Sequence, residues 1–224
     1  MTGAWMDAFA RRMRDIFATR VLFVGWQGSR ARGEAEPDSD LDVVVVLDRL
    51  EPEDVLTYRA ALKSVKAPVP LCGFLCGRAE LAAWDRGDLF GLVCDTLPVY
   101  GDLRKILPPL TREDARRAAL AGACAIYHAC VHNLLYERDT AALAALYKQA
   151  GFALRALWFY RTGECLRRTD ELAARLSEDE ARLLGGRRAA RSAGASVEAL
   201  SEPLFRWAQE AICTLGGGDN QKDT

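Results

Sequence analysis

The sequence predicts an α+β protein in which strands are confined to the first half and the second half is all helix. Three observations carry this. Short β-branched runs occur at Val21–Trp26 and Val43–Leu47, bounded by Gly, Ser and Asp. A Leu-Pro-Pro-Leu-Thr stretch at 107–111 then breaks the chain. Beyond it every apolar pattern recurs at three and four residues, the period of a helix with one buried face.

The elements follow in order. Trp5, Phe9, Met13, Ile16 and Phe17 share one face of an opening helix, with Arg11, Arg12 and Asp15 largely opposite. Val21–Trp26 is the first buried strand. The polar stretch Arg30–Ser39, broken by Gly33 and Pro37, reads as a short helical turn and a loop, and Val43–Leu47 as the second strand. Pro52 and two acids open a helix over Glu53–Lys66, on which Val55, Leu56, Leu62 and Val65 align. Val69–Cys76 is the third strand, Leu89–Cys94 the fourth, and Pro98–Gly101 closes this half. In the second half Thr111 caps a helix over Arg112–Glu137, and Gly163 stops another over Thr140–Thr162. A shorter helix is expected at Asp170–Leu184, then Gly185-Gly186 and a basic loop with Arg187, Arg188 and Arg191, then a last helix over Val197–Leu215. The expected domains are 1–107, 108–216 and a flexible tail at 217–224.

Composition narrows the function classes. The 224 residues are 50% hydrophobic and 27% charged, which is globular rather than disordered usage. Thirty Lys and Arg against 31 Asp and Glu leave a formal charge of -1, so the long basic track of a nucleic-acid polymerase is missing and no long nucleic acid is expected as partner. The seven cysteines are scattered through mostly apolar runs, unlike a disulfide framework or paired zinc knuckles, and Cys72 and Cys76 read as core thiols; a reducing, cytoplasmic setting fits. With no run of 18 apolar residues and charges throughout residues 1–19, neither a membrane span nor an export signal is expected. The oligomeric state stays open, a dimer included.

The chemistry concentrates in Gly28-Ser29-Arg30-Ala31-Arg32-Gly33, the loop after it, and Ser39-Asp40-Leu41-Asp42, which enters Val43-Val44-Val45-Val46. A strand that ends in Gly-Ser and turns into a short helix offers backbone N–H groups and a hydroxyl to an anion, and phosphate is the natural guest. Gly28 permits close approach and Arg32 adds a fork of donors. Asp40 and Asp42, at i and i+2 of a strand, leave on one face of the sheet. Their repulsion is relieved by a cation, and hard oxygen donors with room for phosphate and water suit Mg²⁺.

These residues, in this order, resemble the nucleotidyltransferase superfamily typified by DNA polymerase β, especially its small bacterial members akin to kanamycin nucleotidyltransferase and the minimal nucleotidyltransferases. The resemblance directly covers about Val21–Leu47. It implies a mixed-sheet nucleotidyltransferase core followed by an all-α helical bundle domain, and Mg²⁺ on Asp40 and Asp42 as catalytic residues. It also implies triphosphate contacts from Gly28, Ser29 and Arg32, and transfer of a nucleotidyl group from an NTP, ATP by preference, to a hydroxyl-bearing acceptor of the aminoglycoside kind. Lys148, in Leu146-Tyr147-Lys148-Gln149, resembles the helical-domain lysine that closes over phosphates in that group, and Arg155 lies seven residues on.

One departure stands out. Where active relatives commonly carry a third carboxylate, this chain has Pro70-Leu71-Cys72-Gly73-Phe74-Leu75-Cys76, which contains no acid. A general base would have to come from Asp85, Asp88, Asp95 or Glu137. The gap keeps two alternatives in view: an antitoxin-like branch acting on a protein partner, and a catalytically silent nucleotide binder. His128 and His132, four apart on a helix, have metal-pair spacing, though side chains set in an interhelical seam are the simpler reading.

Overall fold

The computed structural model describes residues 2–192 and 194–217, and these divide between two compact units, the described residues of 1–85 with 95–109 and the described residues of 86–94 with 110–224. Of the tail expected at 217–224, residues 218–224 lie outside the described residues.

The first unit is built on a four-stranded mixed sheet. Its strands are β1 (Val21–Gln27), β2 (Leu41–Leu47), β3 (Leu71–Gly77) and β4 (Leu97–Gly101), in the order β3-β2-β1-β4. β1 runs antiparallel to both β2 and β4, while β2 and β3 are parallel. β2 is central and nearly continuous in Val, as a strand covered on both faces must be, and Val44, Val45 and Val46 have no exposure at all. Helix α1 (Thr2–Phe17) lays Met6, Phe9, Ala10, Met13 and Phe17 into the same core as Val21, Val24, Val43 and Val45. The five-residue α2 (Gly28–Arg32) follows β1 directly.

Helix α3 (Pro52–Ser64) starts with a capping box between Glu51 and Asp54 and with Pro52 in its first turn. Asp54 is buried and takes a bidentate pair of bonds from Arg20, at 2.7 and 2.8 Å. The Arg20 guanidinium, then the Glu51 N–H, hold the Asp54 carboxyl down at about 2. This joins the entry of β1 to the start of α3, two points that no sequence spacing connects.

A fourth strand at Leu89–Cys94 is not observed. That run is helical, in α5 (Arg86–Asp95), which follows the short α4 (Arg78–Ala83), and the fourth strand is Leu97–Gly101 instead. An apolar run of six is ambiguous by periodicity, and tertiary packing decides it. Phe90 packs edge-on against Phe159 at 5.2 Å, and Arg86 pairs with Asp114 at 2.7 Å, so residues 86–94 belong with the helical unit.

The helical unit centres on α6 (Arg112–His132), α7 (Thr140–Thr162), α9 (Glu178–Ala190) and α10 (Val197–Gly216), with α8 (Thr169–Ala173) a single short piece. α6 opens with the Thr111 capping box and continues as a π-turn over Asn133–Glu137. By length and composition Arg112–Glu137 is one helix apolar enough to cross a membrane, a feature that a count of uninterrupted apolar residues misses. Its buried stripe is Ala115, Ala119, Ala123, Ile126 and Cys130, which is the spacing of a bundle face and lies in the core with α7 and α10.

Two expectations fail here. The helix expected over Asp170–Leu184 is split into α8 and α9, and Gly185-Gly186 does not end it. Gly186 is instead a point of close approach, where a Cβ would collide with the ring of Tyr147, while nothing lies within 4 Å of a Cβ at Gly185. Arg187 and Arg188 therefore sit in the last turn of α9 rather than in a loop. The cysteines also differ from expectation. Cys94 and Cys165, 71 residues apart, are joined in a disulfide, and Cys72 is exposed, whereas Cys76 is a buried thiol.

Two outcomes follow from this packing. Gly186→Ala should lower stability by about 1–3 kcal/mol through overpacking against Tyr147, and Gly185→Ala should raise it by about 0.5–1 kcal/mol through helix propensity; urea denaturation of the pair checks both signs. Because the folded Asp54 value lies below its ordinary 3.8, the stability it contributes is complete above that value and is lost as pH falls toward about 2. The difference in urea midpoint between the parent and Asp54→Asn should accordingly shrink between pH 5 and pH 2.

Candidate nucleotide site

The site is made where β1 ends and β2 begins. Antiparallel pairing sets Gln27 opposite Asp42, so the bend that follows β1 and the acids that open β2 come to the same end of neighbouring strands. Gly28 has φ +78°, a conformation that side chains rarely adopt, and a Cβ on it would collide with Oδ2 of Asp42. The bend and the second acid are thus in direct contact. Gly33, at φ +76°, closes α2 one turn later.

The loop that returns to β2 is tied down by a residue the sequence reading did not single out. Arg30 donates from Nε to the carbonyls of Ser39 and Asp40, both at 3.0 Å, and from Nη2 to Ser39 at 2.5 Å. Ser39 Oγ accepts from the Glu36 N–H at 2.9 Å. Arg30 thereby fixes the backbone that carries Asp40. Its only signal in the sequence is its place in Ser-Arg-Ala-Arg, which does not distinguish it from Arg32.

Arg32 is placed differently from what a free phosphate ligand requires. Its side chain is only 8% exposed and is paired with Asp95 at 2.5 Å and Glu34 at 2.8 Å. Burial opposes its charge, but the bonds and charges of Asp95 and Glu34 more than offset that, and its pKa is raised. Asp95 is one of the four acids that the sequence offers as a general base. Its Oδ2 instead serves two donors, the Gly28 N–H and Arg32, and its Oδ1 is shut away from solvent, which suits holding rather than proton exchange.

Asp40 and Asp42 are joined by a third donor. Parallel pairing of β2 and β3 sets Cys72 opposite Asp42, and single donor atoms of Asp40, Asp42 and Cys72 all lie within 4.8 Å of one another. Asp40 and Cys72 are exposed and Asp42 is half-buried. The two carboxylates fit one Mg²⁺ together with water and phosphate oxygens, whereas a thiol is a poor ligand for a second hard ion.

The remaining candidates belong to the helical unit. Lys148 is exposed on α7, and Arg155 on the same helix donates to the carbonyls of Gly151 and Arg167 and to Thr169 Oγ1. His128 and His132 are both exposed, not set in a seam between helices, and His132 lies 3.7 Å from Glu137.

Residues 6–71 match the family described as nucleotidyltransferase domain. The match spans the opening helix, the Gly-Ser bend and both aspartates, and it ends one residue before Cys72. The chain also shares its fold with a solved structure. It is similar to a spectinomycin adenyltransferase, AAD(9), from Enterococcus faecialis, with TM-score 0.60 and 15% identity over 92% of this chain and 98% of that one. That enzyme was crystallised with ATP and spectinomycin. No curated protein matches the chain in sequence.

Within the matched segment the two φ-positive glycines at the ends of α2 separate conformation from contact. Gly28→Ala adds a collision with Asp42 to backbone strain and should cost about 1–3 kcal/mol. Gly33→Ala meets nothing within 4 Å and should cost about 1 kcal/mol. The gap between their urea unfolding free energies measures the contact.

Proposed function

We propose that this protein moves a nucleoside monophosphate, AMP by preference, from an NTP to a hydroxyl of a small acceptor of the aminoglycoside kind. The observation that carries the reading is the contact between Gly28 and Asp42: the phosphate-binding bend and the acid pair occupy one end of one strand pair. Asp40 and Asp42 would hold Mg²⁺, which when bound neutralises triphosphate charge and favours attack by the acceptor oxygen. The bend contributes backbone N–H groups and the Ser29 hydroxyl to the pyrophosphate end, and Arg32 places positive charge beside it. Lys148 is carried as a further phosphate ligand on the strength of the sequence resemblance alone. The sequence match and the fold of an adenyltransferase support the transfer chemistry; the acceptor class rests on what that enzyme was crystallised with.

A second reading is favoured by Cys72, which stands across from Asp42 where an oxygen donor would complete an acidic triad. In it the protein binds nucleotide without turning it over. Pyrophosphate release from each NTP with Mg²⁺, followed across a panel of hydroxylated acceptors, separates the two. The transferase reading expects release with at least one acceptor and a loss of at least about a hundredfold in Asp42→Asn. Turnover that survives Asp42→Asn overturns the metal assignment. The silent reading expects MgATP to raise thermal stability with no release, and release to appear on Cys72→Asp.

A further inference from the structure

We propose that Asp95 is the positioning residue of the phosphate bend, an acid supplied from 67 residues away that clamps both ends of α2 with one oxygen. This rests on the nucleotide-site reading above. In the pairing of β1 with β4, Gly25 meets Pro98 and Trp26 meets Leu97. One residue further along, Thr96 Oγ1 donates to Gln27 Oε1 at 3.1 Å, and one residue beyond that Asp95 Oδ2 accepts the Gly28 N–H at 3.0 Å. The same Oδ2 accepts from Arg32 Nη1 at 2.5 Å. Gly28 and Arg32 are the first and last residues of α2, so Ser29 is held between two points fixed by a single carboxylate.

Three further facts set this apart from a surface ion pair. Both side chains are largely withdrawn from water, at 12% exposure for Asp95 and 8% for Arg32. Oδ1 of Asp95 is buried with no hydrogen-bond partner, a cost that a residue placed only for stability would avoid. The bend it holds begins with a left-handed Gly28 that presses on Asp42, so a shift of the bend also moves the acid pair. Asp95 thus sets the distance between the phosphate end and the acid end of the site without touching the reacting atoms.

The test uses the full chain, isothermal titration with MgATP, magnesium inorganic triphosphate and MgAMP, and the thermal midpoint of each variant. Asp95→Asn keeps an oxygen for the Gly28 N–H but loses the charge on Arg32; Asp95→Ala loses both. The affinities for MgATP and for inorganic triphosphate should fall together, about tenfold or more in Asp95→Ala and less in Asp95→Asn, while MgAMP, which lacks the two outer phosphates, changes little. A purely structural role would lower all three affinities in step with the thermal midpoint, and would overturn the proposal. So would unchanged triphosphate affinity, or a gain, which would mean that the carboxylate competes with phosphate. If the parent binds none of the three, the nucleotide-site reading fails and takes this proposal with it. If the parent binds and only the variants behave otherwise, the proposal alone fails.

Discussion

The architecture of the first unit turns on one close approach, that of Gly28 to the carboxylate of Asp42. Antiparallel pairing of β1 and β2 brings the end of one strand to the start of the other, so a bend and an acid pair that are separated by a polar loop become neighbours. The approach leaves no room for a Cβ and demands a left-handed backbone, and only glycine meets both conditions without strain. Everything else in the unit keeps that contact in place. The Val-rich β2 is buried on both faces, α1 covers one of them, and Arg30 pins the loop that delivers Asp40.

Electrostatics around the bend are arranged in a closed chain rather than as free charges. Arg30 is spent on carbonyls and Arg32 on Asp95 and Glu34, while at the opposite end of β1 Arg20 is spent on Asp48 and Asp54. In a chain of formal charge -1 an anion at the bend would meet oriented N–H groups and locally held guanidinium groups, not an overall basic field. The thiol of Cys72 introduces a softer donor at the third corner of the acid pair, so that among the described residues the cluster is two carboxylates and a thiol.

The helical unit shows how small residues serve packing. Alanines at every third or fourth position of α6 form its buried stripe, and Gly186 lets α9 lie against Tyr147 on α7. Glycine here is a contact surface, although in the sequence Gly185-Gly186 has the look of a break. The same ambiguity misplaces Leu89–Cys94: an apolar run reads as a strand until Phe90 finds Phe159 and Cys94 finds Cys165.

What the sequence determined by itself was whatever depends on neighbours along the chain. Strand, bend and acid pair at residues 21–47 were legible because backbone turns and alternating side chains are local, and so were α1, α6 and α7 with their caps and periodicity. The resemblance to the nucleotidyltransferase superfamily rests on that one segment. Every relation across the sheet or between helices came instead from packing in three dimensions. Asp95 meeting Gly28 and Arg32, Arg20 meeting Asp54, Cys72 standing opposite Asp42, and Gly186 pressing on Tyr147 all join residues far apart in the chain. Pairing register and packing are set by the whole core at once, and no local pattern encodes them.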